Sequence, residues 1–201
     1  GVKPVGVPAT STGIRGASQS KQVTFQPGHA DVPMDDQVPA KLKDAQGQLV
    51  ESLKVENQGT YTVAADGTVT FVPEKNFVGP AQAVTVVRVD KNGTPVTANY
   101  TPTVTRVTPT SQDAASTGAQ GLPQSGTPSF TPGDPIVPMD DSVPMTFEDG
   151  STTKSVPGVG EYSINPDGSI TFTPDKQFVG TPDPVTVKRV DKKIGRASCR
   201  K

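Results

Sequence analysis

The stretch from Gly59 to Gly79, GTYTVAADGTVTFVPEKNFVG, returns from Gly160 to Gly180 as GEYSINPDGSITFTPDKQFVG, with 11 of 21 positions identical. A repeat of this length decides the architecture before any other reading, because each copy must be one structural unit. Within it, Tyr61 and Val63 alternate with polar neighbours, and Val69 and Phe71 do so beyond Asp66-Gly67. Period-two alternation puts such side chains on one face of a strand. Asp-Gly between two such runs predicts a β-hairpin, since glycine takes positive φ without a Cβ clash. The second copy has Asn165-Pro166-Asp167-Gly168 at the turn, and Pro73 and Pro174 close the outgoing strands.

The similarity extends beyond the hairpin. From Ser11 and Ser116 onward the copies match at a spacing of 105, pairing Phe25 with Phe130 and Pro33-Met34-Asp35-Asp36 with Pro138-Met139-Asp140-Asp141. The spacing then falls to 101, so the first copy carries four more residues between Pro39 and Tyr61, a change that a surface loop absorbs at small entropic cost. Strands are expected near Val23–Phe25, Ala40–Lys43, Leu49–Val55, Thr60–Val63, Thr68–Val72, Val84–Val89 and Val96–Val104. Short strands with turn signals between them favour an all-β fold of tandem Ig-like sandwiches. Frequent prolines and the lack of helical period argue against helices. Val187 and Val190 are out of phase for one strand face, which predicts either a β-bulge near Val86–Arg88 and Val187–Arg189 or a Val190 that faces solvent.

Composition suits two small domains better than one large core. The chain has 201 residues, 32% hydrophobic, no Trp, and 41 Gly and Pro together. Its net charge of −1 gives no pull toward nucleic acid, and no run is long enough for a membrane span. Residues 1–20 and 106–127 are rich in Gly, Ser, Thr and Pro and read as linkers. Extended as polyproline II, the 22 residues of the second would span roughly 70 Å. The repeats are then residues 21–105 and 128–192. After Asp191-Lys192 the second copy departs from the first. Its last residues, 193–201, resemble a translated sequencing-adapter oligonucleotide and are expected to be a non-native tail, leaving the second domain without its last strand and with an open edge.

Few residues carry chemistry. The single cysteine, Cys199, lies in that tail, and the single histidine, His29, has Asp134 as its counterpart and no nucleophile signature near it. No catalytic residue and no cofactor are assigned. The repeated acidic pairs Asp35-Asp36 and Asp140-Asp141 are weak Ca²⁺ candidates against the simpler reading as turn residues, and no EF-hand or RTX spacing accompanies them. Lys75 and Lys176 would need burial beside a carboxylate to form an isopeptide bond and read as solvated. Arg88 and Arg189 are expected to run along the sheet surface with their heads in water. The residues expected to matter are structural: Tyr61, Asp66, Gly67, Phe71, Phe77 and Gly79, with Tyr162, Asp167, Gly168, Phe172, Phe178 and Gly180 in the second copy. Phe77 and Phe178 would plug the core, and the following glycines would turn the chain.

The pattern DGTVTFVPEKNFVG … VTVVRVDKNGTPVTANYTPTVT, with DGSITFTPDKQFVGTPDPVTVKRVD in the second copy, resembles the repeat domain of CshA-type fibrillar surface adhesins of streptococci and related Gram-positive bacteria. The resemblance covers nearly all of residues 21–192. It implies stalk repeats in a long array at the cell surface, anchored to the cell wall by another part of the protein. It also implies a separate region that binds a host matrix protein such as fibronectin, the partners of these repeats being their neighbours in the same chain. The competing readings are repeats that bind a surface ligand themselves, which calls for an exposed apolar patch in both copies, and a secreted enzyme, for which no constellation is present.

Overall fold

The computed structural model describes residues 3–192 and 196–201. The chain divides into two compact units, residues 1–106 and 107–201. Both are all-β.

The first unit contains β1 (Val5–Val7), β2 (Ala9–Ile14), β3 (Gln19–Gln22), β4 (Thr24–Gln26), β5 (Lys41–Lys43), β6 (Leu49–Val50), β7 (Ser52–Val55), β8 (Gly59–Val63), β9 (Thr68–Pro73), β10 (Gly79–Pro80), β11 (Val84–Val89) and β12 (Pro95–Thr105). One sheet has the order β3-β9-β8-β7; the other runs β10-β12-β11-β5-β6, with β2 also paired to β12. The repeated hairpin is β8–β9, in the register Tyr61↔Phe71 and Val63↔Val69. Its loop is Ala64–Gly67, closed by Gly67 N–H to Ala64 O at 3.0 Å and with Gly67 at φ 89°. The expected strand Leu49–Val55 is interrupted at Glu51, because β6 belongs to one sheet and β7 to the other.

The alternation fills one core. Tyr61, Val69 and Phe71 of the hairpin are fully buried against Leu42, Val84, Val86, Tyr100 and Val104 of the facing sheet. The rings of Tyr61 and Phe71 lie 4.7 Å apart, and Phe77 meets Phe71 edge-on at 6.5 Å. Gly59 opens the hairpin where a Cβ would come within 2.6 Å of the Phe71 ring, which accounts for glycine at this point in both copies.

The second unit contains β13 (Thr110–Gln112), β14 (Gln124–Gly126), β15 (Ser129–Thr131), β16 (Thr146–Phe147), β17 (Thr153–Val156), β18 (Gly160–Ile164), β19 (Ile170–Pro174), β20 (Thr186–Val190) and β21 (Arg196–Arg200). Its sheets are β14-β19-β18-β17 and β16-β20-β21. Tyr162 and Phe172 lie 4.7 Å apart, and Phe178 meets Phe172 edge-on at 6.3 Å, as in the first unit.

Three expectations are corrected. The stretches read as linkers are folded into the units: β1, β2 and much of β3 lie in residues 1–20, and β13 and β14 lie in 106–127. Only Arg106 to Pro109 separate β12 from β13. Their threonines and serines are exposed or, at Ser11 and Ser111, half-buried, on strands whose backbone is satisfied by pairing, so little apolar surface is required. The bulge is absent: β11 and β20 pair residue by residue with β12 and β21 throughout, and Val190 is half-buried at the strand end. The second unit does have a strand beside β20. Residues 196–200 pair with it antiparallel, burying Ala197 and Cys199, which have the period-two spacing this edge requires. Lys193, Ile194 and Gly195 of the expected tail lie outside the described residues.

Candidate functional site

The first unit's first and last segments are joined to each other. β2 lies parallel to the far half of β12, in the register Ala9↔Tyr100 through Ile14↔Thr105. Arg15 N–H extends the ladder to Thr105 O at 2.9 Å. Across this seam the side chains form a small polar network. Ser11 Oγ donates to Gln19 Oε1 at 2.6 Å and shares a 2.5 Å hydrogen bond with the Tyr100 hydroxyl. Gln19 is buried, and its Nε2 donates to Thr103 O at 3.0 Å. Burial pushes the Tyr100 and Tyr61 phenols above their ordinary value, and the Tyr61 hydroxyl donates to Gln82 O at 2.5 Å.

Neither Ser11, Gln19 nor Tyr100 was singled out by sequence reasoning. The signal was available: the 105-residue spacing starts at Ser11 and carries Gly13/Gly118 and Gln19/Gln124 through the stretches read as linker. In the second unit Ser116 Oγ donates to Gln124 Oε1 at 2.9 Å, and Lys201 Nζ donates to Ser116 Oγ at 2.8 Å in place of the tyrosine.

The expected turn residues sit at turns. Asp66 Oδ1 accepts from Thr68 N–H at 2.9 Å, and Asp167 Oδ1 accepts from Ser169 N–H at 2.9 Å. Gly168, Gly79 and Gly180 have φ of 84°, 115° and 116°. The four calcium candidates are engaged locally. Asp35 and Asp140 each accept from the N–H two residues on, at 3.0 Å, while Asp36 and Asp141 meet Arg88 and Arg189 at 2.9 and 2.8 Å. Among the described residues no group of three or more His, Cys, Asp or Glu could hold a metal. The arginines differ from expectation: the Arg88 side chain is only 13% exposed, its guanidinium held by Asp36, and Arg189 lies over the Phe130 ring at 5.9 Å. Lys75 and Lys176 are exposed, as is His29, whose Nδ1 accepts from Asp31 N–H at 3.1 Å. Burial pushes the Cys199 thiol up, away from the reactive thiolate.

A pH dependence follows from the turns. Hydrogen bonds from Thr68, Ser142, Ser151 and Ser169 hold the carboxyls of Asp66, Asp140, Asp149 and Asp167 below the ordinary value of 3.8. A carboxyl lowered in the folded state stabilises fully above its unfolded value and loses that contribution as pH falls through the folded one. Thermal melts are therefore expected to be flat from about pH 7 to 5 and to fall below about pH 4. A decline already under way above pH 5 would contradict this assignment.

Comparison with known proteins follows the same division into two. The family model of the surface adhesin CshA repetitive domain matches residues 1–104 and again 106–198. Among solved structures, the NMR structure of repeat domain 13 of the fibrillar adhesin CshA from Streptococcus gordonii is 63% identical. That match covers 33% of this chain and 86% of that one, with a TM-score of 0.20. The I9–I11 tandem of titin is 11% identical over 98% of this chain and 62% of that one, at a TM-score of 0.41. The N-terminal eight Ig domains of Down syndrome cell adhesion molecule are 10% identical over 99% of this chain, at a TM-score of 0.38, and this chain spans 27% of that structure. No curated relative matches the chain. With both of its units matched over nearly their whole length, the chain belongs to the surface adhesin CshA repetitive-domain family.

Proposed function

We propose that the two units are load-bearing spacer repeats of a cell-wall-anchored fibrillar adhesin, and that they hold a distal ligand-binding region away from the cell. The family places the chain in a surface adhesin, outside the cell. The observation that carries the spacer reading is the parallel seam of β2 and β12. Tension entering the first unit before Ala9 and leaving after Thr105 pulls these neighbours in opposite directions along their length. All six paired positions are loaded together, where a perpendicular pull would open them one at a time. In the second unit Ala114 N–H donates to Arg200 O at 3.0 Å. Wall attachment, and a matrix protein such as fibronectin as the ligand of another region, complete the reading.

The test places the chain on a bacterial surface between a wall anchor and a ligand-binding head, beside a variant lacking both units. Soluble ligand should bind both equally, while capture of ligand-coated beads under flow should drop several-fold without the units. Unchanged capture, or retention of matrix protein by the immobilised chain alone, would overturn the spacer reading.

A further inference from the structure

The turn between β11 and β12 holds the chain's one Asn-Gly dipeptide, Asn92-Gly93. The fold explains the glycine: Gly93 has φ 80°, and its N–H donates to Asp90 O at 2.9 Å to close the turn. It does not explain the asparagine. Among the described residues Asn57 is the one non-glycine at positive φ, so the left-handed backbone that favours asparagine is not asked of Asn92. The second copy has Lys193 at this position of the sequence. The five asparagines also differ in what surrounds them. Asn76 Oδ1 accepts from Arg15 and Asn99 Oδ1 from Thr85, each at 2.9 Å, while Asn165 Nδ2 donates to the Ser169 and Thr171 hydroxyls at 2.9 Å. Phe77, Tyr100 and Pro166 follow these three, and Gln58 follows Asn57, so each next nitrogen is crowded by a side chain or, in proline, has no hydrogen. Asn92 is exposed, nothing among the described residues bonds its side-chain amide, and Gly93 has no side chain to shield its nitrogen. The related Asp-Gly turns are guarded. Asp66, Asp149 and Asp167 each accept the N–H two residues on at 2.9 Å, and hydrogen bonds from Thr68, Ser151 and Ser169 keep these carboxyls ionised, a form that resists attack by nitrogen.

We propose that Asn92 is a site of spontaneous hydrolytic modification, an ageing mark that the first unit carries at its β11–β12 turn. When the turn opens and Gly93 N–H leaves Asp90 O, the Gly93 nitrogen gives up its proton and attacks Asn92 Cγ. The N–Cγ bond forms, the Cγ–Nδ2 bond breaks and ammonia leaves with the proton, closing a cyclic imide with no change of oxidation state. Water then opens the imide at either carbonyl. Breaking N–Cγ leaves aspartate; breaking the bond from nitrogen to the Asn92 carbonyl carbon leaves isoaspartate, with the main chain routed through the former side chain. Isoaspartate adds a backbone atom and a carboxylate to a turn whose Asn92 and Thr94 N–H groups both donate to Oδ1 of the buried Asp90 at 2.9 Å. Those bonds and the Gly93 bond cannot all be remade at the new length, so the β11–β12 hairpin loosens. The family places the chain outside the cell, where the mark accumulates with the age of the protein.

The test incubates the full 201-residue chain, folded, at mildly acidic and mildly alkaline pH. Ammonia release, peptide mapping and methyl labelling by an isoaspartate O-methyltransferase follow the conversion. Asn92 is expected to convert at least tenfold faster than any of the other four asparagines, and faster at the higher pH, because the nucleophile is a deprotonated nitrogen. The Asn92→Gln chain, altered only at an exposed side chain, should take no methyl label. In the aged chain the first unit's unfolding midpoint should fall while the second unit's stays in place. Conversion at Asn92 no faster than elsewhere, a rate independent of pH, or equal label in the Asn92→Gln chain would overturn the proposal. An unchanged midpoint of the first unit in fully converted chain would overturn the effect assigned to the turn.

Discussion

Replacing Phe71 with alanine is expected to lower the stability of the first unit by about 3–5 kcal/mol, most or all of what a domain of this size possesses. The ring has no exposed surface and lies between Tyr61 at 4.7 Å and Phe77 at 6.5 Å. It is also the wall against which the Gly59 backbone closes. The hole cannot collapse easily, because its lining is two rigid rings and a β-ladder. The first unit's core cluster, drawn from residues between Ala9 and Val104, and the second's, drawn from residues between Phe130 and Cys199, are separate. Denaturant unfolding of the Phe71→Ala chain should therefore move one transition and leave the other in place. A loss below about 1 kcal/mol would contradict the core assignment, and so would a common shift of both transitions.

The hairpin and its core were legible because alternation survives translation into three dimensions: Tyr61, Val69 and Phe71 are spaced for one face and are buried on it. The turn residues were legible for a local reason, since Asp66 and Gly67 fold their own four-residue loop. The seam was not. Ala9, Thr10, Ser11 and Thr12 have no apolar alternation, and their strand exists only because β12, nearly 90 residues later, offers a parallel edge. Composition describes how a segment behaves alone, and here it described a linker. Pairing at long range reversed that outcome, whereas residues 196–200 pair with the adjacent β20, where Ala197 and Cys199 carry the required spacing. Arg88 was misread for a related reason: the partner that holds its guanidinium, Asp36, lies 52 residues away.

The other large effect is mechanical. Force along the chain reaches the first unit's seam as shear, so unfolding requires the six paired positions of β2 and β12 to fail nearly together. The Ser11–Tyr100 bond stands across the same seam and breaks with it. In the second unit Ser116 meets Gln124 and Lys201 Nζ instead. Forced unfolding is governed by the barrier to breaking native contacts.

Single-molecule pulling of the whole chain through its ends measures this directly. Release of residues 9–105 should lengthen the extended chain by up to roughly 320–350 Å, which identifies the first unit's event. This event is expected at distinctly higher force when the chain is pulled through its ends than when the first unit is pulled through attachment points at Thr10 and Thr101, paired neighbours that the load then parts crosswise. If pulling through the ends unfolds the first unit at a force equal to or below the crosswise one, its terminal seam bears no load and the spacer account fails.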